Sequence, residues 1–209
     1  MSVTVSPPAE ERVYLYEVPW PLYVSLNRVS QGRRTRISYN RGVVEIMSPG
    51  KRHESAKVLI SRMIERWTKH HQIAICSTGS TTFRRADEER GFEADESFYI
   101  RNEAVVRGAD EIDLSVSPPP DLIIEVDITH RSMNKSSVYE SIGVSELWLY
   151  DGTQVVVHCL SETGGYDRAA HSRVLPGFPL ELVHQVIQRS LEVGEHAAIA
   201  GFESRIGTP

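Results

Sequence analysis

The sequence is poor in the features that announce most enzyme classes. It has two cysteines, Cys76 and Cys159, in apolar, strand-like surroundings and in no CxxC or Cys/His metal spacing. That excludes a disulfide scaffold and a zinc ribbon, and suits two reduced core thiols in a cytoplasmic protein. No apolar run approaches the length of a membrane span, and the first residues lack the apolar segment of a signal peptide. A membrane partner is therefore not expected. There is no phosphate-binding P-loop, no GxGxxG turn, no nucleophile elbow and no internal repeat. Nor is there an excess of positive charge: 23 Lys and Arg against 28 Asp and Glu give a net charge of -5, so no global basic field marks a nucleic-acid binder.

What remains is an ordinary globular composition, 40% hydrophobic and 24% charged over 209 residues. That is enough for one domain with a real core. Residues 1–19 read as an N-terminal extension, loose over 1–12. Residues 20–191 read as the domain, and 192–209 as a polar tail. Trp20 to Leu26 is a short amphipathic helix. Asn40-Arg41-Gly42 is turn chemistry between two β-rich runs, which predicts a hairpin. From His53 to His71, Val58, Leu59, Met63, Ile64 and Trp67 share one helical stripe. Strands are expected at 73–76, 93–100, 121–128, 146–150 and 154–160. Helices are expected over 132–142, with Met133 turned to the core, and over 180–191. The alternation predicts an α/β fold in which helices flank a central mixed β-sheet.

One stretch resists the bland interpretation. Pro118-Pro-Pro-Asp121-Leu-Ile-Ile-Glu125-Val-Asp127-Ile reads as a core strand, yet Asp121, Glu125 and Asp127 fall on one face of it. Burying ionised carboxylates is costly unless they are paired or bound to a metal. A second acidic group, Glu93, Asp95 and Glu96, opens the preceding strand. If the two strands pair, Asp95 meets Glu125 across the ladder. Hard carboxylate oxygens on rigid strands suit Mg²⁺ or Mn²⁺, and Lys135 adds a cation able to orient a water or stabilise charge. Ion pairs with Arg84, Arg101 or Lys135 would equally account for the acids, and spacing alone does not separate the two. His53 either donates to a site group or caps against the hairpin. Glu54 in the first helical turn suits the macrodipole. His130 has no partner for zinc.

Several segments together carry a resemblance. They are Gly42-Val-Val-Glu-Ile-Met-Ser-Pro49 with His53-Glu54; Ser80 to Arg84 with Phe92 to Ile100; Pro119 to Thr129 with Lys135, Tyr139, Gly143 and Glu146 to Gly152; and Val174-Leu-Pro-Gly-Phe178. Between about Trp20 and Leu191 the chain resembles the Uma-type family of restriction endonucleases in the PD-(D/E)XK nuclease superfamily. The resemblance implies a restriction-endonuclease-like core and Mg²⁺-dependent cleavage of phosphodiester bonds in DNA. It assigns Asp95 and Glu125 as metal ligands and catalytic residues and Lys135 as a displaced catalytic lysine. Asp121, Asp127 and His53 are supporting groups, with Asp127 where a lysine usually stands. Two departures are Ala94, where a proline is usual, and His130-Arg131-Ser132, where an acid is often found. A homodimer is the assembly that double-strand cleavage with one active site per chain would favour. The alternatives are a non-catalytic nucleic-acid-binding or interaction module on the same fold, and an assembly scaffold with no nucleic-acid contact.

Overall fold

The structure, a computed structural model, describes residues 10–30, 32–33, 35–128 and 135–207. The chain begins with β1 (Glu10–Leu15) and α1 (Trp20–Ser30), then β2 (Arg36–Asn40) and β3 (Val43–Pro49). These last two form the expected hairpin, with Asn40 opposite Val43. Arg41 and Gly42 both turn with positive φ, 44° and 91°, as a two-residue hairpin loop requires. Next come α2 (Lys51–His70), β4 (Cys76–Ser77), β5 (Thr82–Arg85), β6 (Arg90–Glu93), β7 (Glu96–Tyr99) and a single turn, α3 (Glu103–Val106). The rest is β8 (Leu122–Val126), α4 (Ser136–Ile142), β9 (Glu146–Tyr150), β10 (Val155–Leu160), β11 (Tyr166–Ala169), α5 (Leu180–Val193) and α6 (Glu195–Ile206).

The strands form two sheets where the sequence suggests one. An antiparallel sheet has the order β1-β3-β2-β6-β5, and a mixed sheet has the order β11-β10-β9-β8-β7-β4. β8 and β9 run parallel and are joined through α4, while their neighbours are antiparallel. The strand expected over 93–100 is split: β6 belongs to the first sheet and β7 to the second, so the chain changes sheet at Ala94-Asp95.

All five residues of β8 are buried. Leu122, Ile124 and Val126 pack with Leu59, Ile60, Met63, Ile64 and Trp67 of α2, the stripe the helical spacing points to, with Ile60 rather than Val58 completing it. Each such side chain removed from water contributes about 1.5–3 kcal/mol. Ile123, on the opposite face, packs with Phe83, Phe92, Val138 and Tyr139. Glu125 shares that face, which is why its environment is unlike that of its apolar neighbours.

Both ends of the chain hold more structure than the sequence suggests. The 1–12 stretch, expected to be loose, contains the start of β1, which pairs with β3 so that Arg12 stands opposite Met47. The expected tail contains α6, whose Ala198, Ile199 and Phe202 join the α2 core. The expected core placement of Met133 lies outside the described residues.

A buried carboxylate fixes the far end of the mixed sheet. Glu146 accepts from Trp148 Nε1 (2.6 Å), Ser172 Oγ (2.6 Å), Arg173 N (2.7 Å) and Val174 N (3.2 Å). It thereby pins the segment that leads into Leu175 and Phe178 against the core.

Candidate active site

Three acids come together where the two sheets meet. Glu45 projects from β3 and Glu125 from β8, and Asp95 sits at the sheet-to-sheet crossover; none is more than 4% exposed. The register pairing Glu96 with Ile124 sets Asp95 opposite Glu125 as the ladder ends. Val126 N, left without a strand partner there, donates to Asp95 Oδ2 at 2.8 Å.

Asp95 is held from several sides. His53 Nε2, from the first turn of α2, lies 3.0 Å from Oδ2. Arg36 Nε, from β2, lies 3.2 Å from Oδ1. That contact lacks hydrogen-bond geometry, so the buried Oδ1 accepts no hydrogen bond among the described residues. Burial pushes the Asp95 carboxyl up. The close contact and charge of His53, with the charges of Arg36 and Lys135, more than offset this and hold it below the ordinary aspartate value. Burial likewise works against the His53 cation, but Asp95 and Glu54 prevail and raise it to about 9, so the ring is an imidazolium at neutral pH. Glu54 sits 3.8 Å from His53 Nδ1 and forms ion pairs with Arg36 (2.9 Å) and Lys57 (3.0 Å).

Glu125 is held by α4. Lys135 Nζ donates to Oε2 at 3.1 Å, and the Tyr139 hydroxyl, one helical turn on, donates to Oε1. Burial above all raises Glu125; Lys135 and Tyr139 oppose the shift and the nearby Asp95 charge adds to it. For Lys135 burial favours the neutral amine, yet Glu125, Glu45 and Asp95 together raise its pKa and keep it an ammonium. Lys135 Nζ is also 3.7 Å from Glu45 Oε1.

The structure therefore brings Asp95, Glu125, Lys135 and His53 into one connected group. Asp127 joins its edge through Arg12, at 2.6 Å. Asp121 stands apart: its oxygens accept from Ile100 N (2.7 Å), Asn102 N (3.1 Å) and Asn102 Nδ2 (3.0 Å), so it ties down the loop after β7. The other two acids near Asp95 also have separate work. Glu93 binds Asn27, Thr82 and the Ile37 amide. Glu96 binds Ser61, Ser77 and its own following amide.

Glu45, Arg12, Arg36 and Tyr139 also belong to this group, and the sequence alone assigns none of them a site role. Glu45 did carry a signal, a lone acid inside the apolar run Val43-Val-Glu-Ile-Met47, the same anomaly that marks Glu125. The His130-Arg131-Ser132 departure lies outside the described residues.

The donor set suits a hard divalent cation. Two carboxylates whose charges oppose each other, one with a buried oxygen that accepts no hydrogen bond, offer the oxygen ligands that Mg²⁺ or Mn²⁺ takes. Among the described residues no group of three or more His, Cys, Asp or Glu is arranged to hold a metal. Asp95 and Glu125 would thus be a two-carboxylate site, which suffices for a cation that keeps waters and binds substrate phosphate. Beside it lies a polar cleft of about 1360 Å³. Arg36 and Glu54 line it on the site's side, and Lys51, Lys57 and Arg84 contribute to its walls.

The chain is similar to known proteins in sequence and in fold. The family model Uma2, described as "putative restriction endonuclease", matches residues 20–193. A solved structure of a "putative nuclease" belonging to DUF820 from Anabaena variabilis ATCC 29413 is similar to the chain at 14% identity and a TM-score of 0.50. The alignment covers 72% of this chain and 90% of that one, and it shows a shared fold. No curated protein matches the sequence. Among the described residues no helix is long and apolar enough to cross a membrane. Since the matched stretch runs from α1 to the end of α5 and takes in most of the chain, the chain belongs to the Uma2 family.

Proposed function

We propose that the protein is a metal-dependent endonuclease that hydrolyses phosphodiester bonds of DNA, acting as a PD-(D/E)XK-type enzyme in the cytoplasm. The observation that carries this reading is the convergence of Asp95, Glu125 and an ammonium on Lys135 in one buried, charge-coupled group. Asp95 and Glu125 would hold Mg²⁺ or Mn²⁺, with the Val126 carbonyl assisting. When bound, the cation would neutralise phosphate charge and activate water.

The chain's own groups do the rest. His53, Arg36 and the Val126 amide fix the Asp95 carboxylate, and Tyr139 and Lys135 fix Glu125. Because its neighbours hold Lys135 protonated, its role is that of a donor to a phosphate oxygen or an attacking water, not of a base. Lys51, Lys57 and Arg84 along the cleft suit contacts to a nucleic-acid backbone, which position the substrate without reading its sequence. Double-strand cleavage would favour a homodimer.

The test is cleavage of supercoiled plasmid with Mg²⁺ or Mn²⁺, lost in Glu125→Ala and Lys135→Ala. A purified wild type inert toward both DNA and RNA with either cation would sink the proposal. One observation favours the second reading, a non-catalytic nucleic-acid-binding or interaction module: Asp95, Glu125 and Lys135 are at most 4% exposed and already pair with neighbouring charges. Tight DNA binding indifferent to Mg²⁺ and to Glu125→Ala would support that module instead.

A further inference from the structure

Arg12 lies on β1, ahead of the stretch matched by the family model, which begins at residue 20. Its side chain is 5% exposed and reaches acids from both sheets. One guanidinium nitrogen is 2.9 Å from Glu45 Oε1 on β3, and the other is 2.6 Å from Asp127 Oδ1, just past β8. The β1–β3 register sets Arg12 opposite Met47, so Glu45 is its diagonal neighbour on the same face. A planar, multiply donating guanidinium can span two carboxylates in this way, whereas an ammonium is a single point charge. Glu45 has a second cation close by. Lys135 Nζ stands 3.7 Å from it and 3.1 Å from Glu125. Arg12 and Lys135 thus share Glu45, and the nearer contact of Lys135 is with Glu125.

We infer that Arg12 is a positioning residue: by binding Glu45 and Asp127 together it keeps Lys135 on Glu125 and draws β1 into the active site. The inference rests on the nuclease reading of Asp95, Glu125 and Lys135. Without the guanidinium, Glu45 and Asp127 lose a shared counter-charge, and among the described residues Lys135, 3.7 Å away, is a cation near enough to answer Glu45. The cost then falls on turnover, since Lys135 has left the position from which it acts, and not on substrate affinity.

Two readouts decide it. In a crystal structure of Arg12→Ala, Lys135 Nζ is expected in direct contact with Glu45 and withdrawn from Glu125; an unmoved Lys135 overturns the inference. In cleavage assays below the variant's melting transition, Arg12→Ala is expected to lose about tenfold or more in kcat with KM for DNA little changed. Added methylguanidinium should restore several-fold of that loss in Arg12→Ala and nothing in the wild type. Wild-type kcat in folded Arg12→Ala, or a loss confined to KM, overturns the inference. If Arg12→Ala does not fold, Arg12→Lys is read by the same structural and kinetic criteria, because it keeps the charge but cannot span both acids. A wild type inert toward DNA and RNA would defeat the nuclease reading, and the crystallographic readout would still decide where Arg12 holds Lys135.

Discussion

His53 Nε2 and Asp95 Oδ2 lie 3.0 Å apart, with neither side chain exposed to solvent. The pair gives the fold a pH dependence of definite sign. His53 has its pKa raised from 6.5 to about 9 in the folded chain. Its contribution is therefore fully present below pH 6.5 and is lost as pH rises through about 9. The contribution is on the order of 3 kcal/mol. Chemical denaturation of the metal-free protein between pH 6 and 10 should show stability falling across that window, and His53→Asn should flatten the fall.

Glu125 and Lys135 are a buried pair, so removing one partner strands the other. Lys135→Met should lower stability by about 3–5 kcal/mol. The double variant Glu125→Gln/Lys135→Met should recover part of that loss, since the Glu125 charge goes with its cation, and only part because Glu45 still loses its Lys135 contact. Each single variant should reduce plasmid cleavage at least about 100-fold. Urea unfolding together with cleavage rates checks both halves.

Tyr139→Phe removes one donor from Glu125 and leaves Lys135 in place. It should cost about 1–2 kcal/mol in stability and about tenfold in kcat, a milder loss than Lys135→Met. Equal losses in the two variants would show that Tyr139 does more than hold the carboxylate.

Glu146 separates stability from chemistry. In Glu146→Gln an NH₂ group would face some of the donors now satisfied by carboxylate oxygens, among them the Arg173 and Val174 amides. The expected loss is about 2–4 kcal/mol, seen as a lower melting temperature. Cleavage measured well below that temperature should stay near the wild-type rate.

Gly91 on β6 lies against the hydroxyl of buried Tyr23, and a Cβ there would overlap the phenol oxygen. Gly91→Ala should therefore destabilise by about 1–3 kcal/mol. Adding Tyr23→Phe removes the nearest obstructing atom but leaves ring carbons at 2.8 and 3.0 Å, so it should return only part of the loss, as a melting series on the three variants would show.

Much of the site was legible in the sequence because burial and charge conflict there. Glu125 stood out as an acid in an apolar strand, and the spacing of Asp95 let it face Glu125 if the strands paired, as the register now sets them. Residue type alone could not separate Asp95 from Glu93 and Glu96. All three precede the same strand, and only the change of sheet at Ala94-Asp95 sends them to different neighbours. Arg12 gave no signal at all, since a polar stretch near two prolines looks loose until its strand partner is known. The single sheet expected from the strand pattern became two for the same reason: propensity marks strands but not where the chain leaves one ladder for another.

The crossover at Asp95 also bears on when the grouped charges can assemble during folding. The mixed sheet alone carries Glu125, and the hairpin sheet alone carries Glu45 and, through β1, Arg12. Asp95 takes its place between Arg36, His53 and the Val126 amide only once both sheets and α2 have docked. A newly made or partly unfolded chain would thus hold these groups apart, and under the proposed function it would be unable to cut until the molecule is complete.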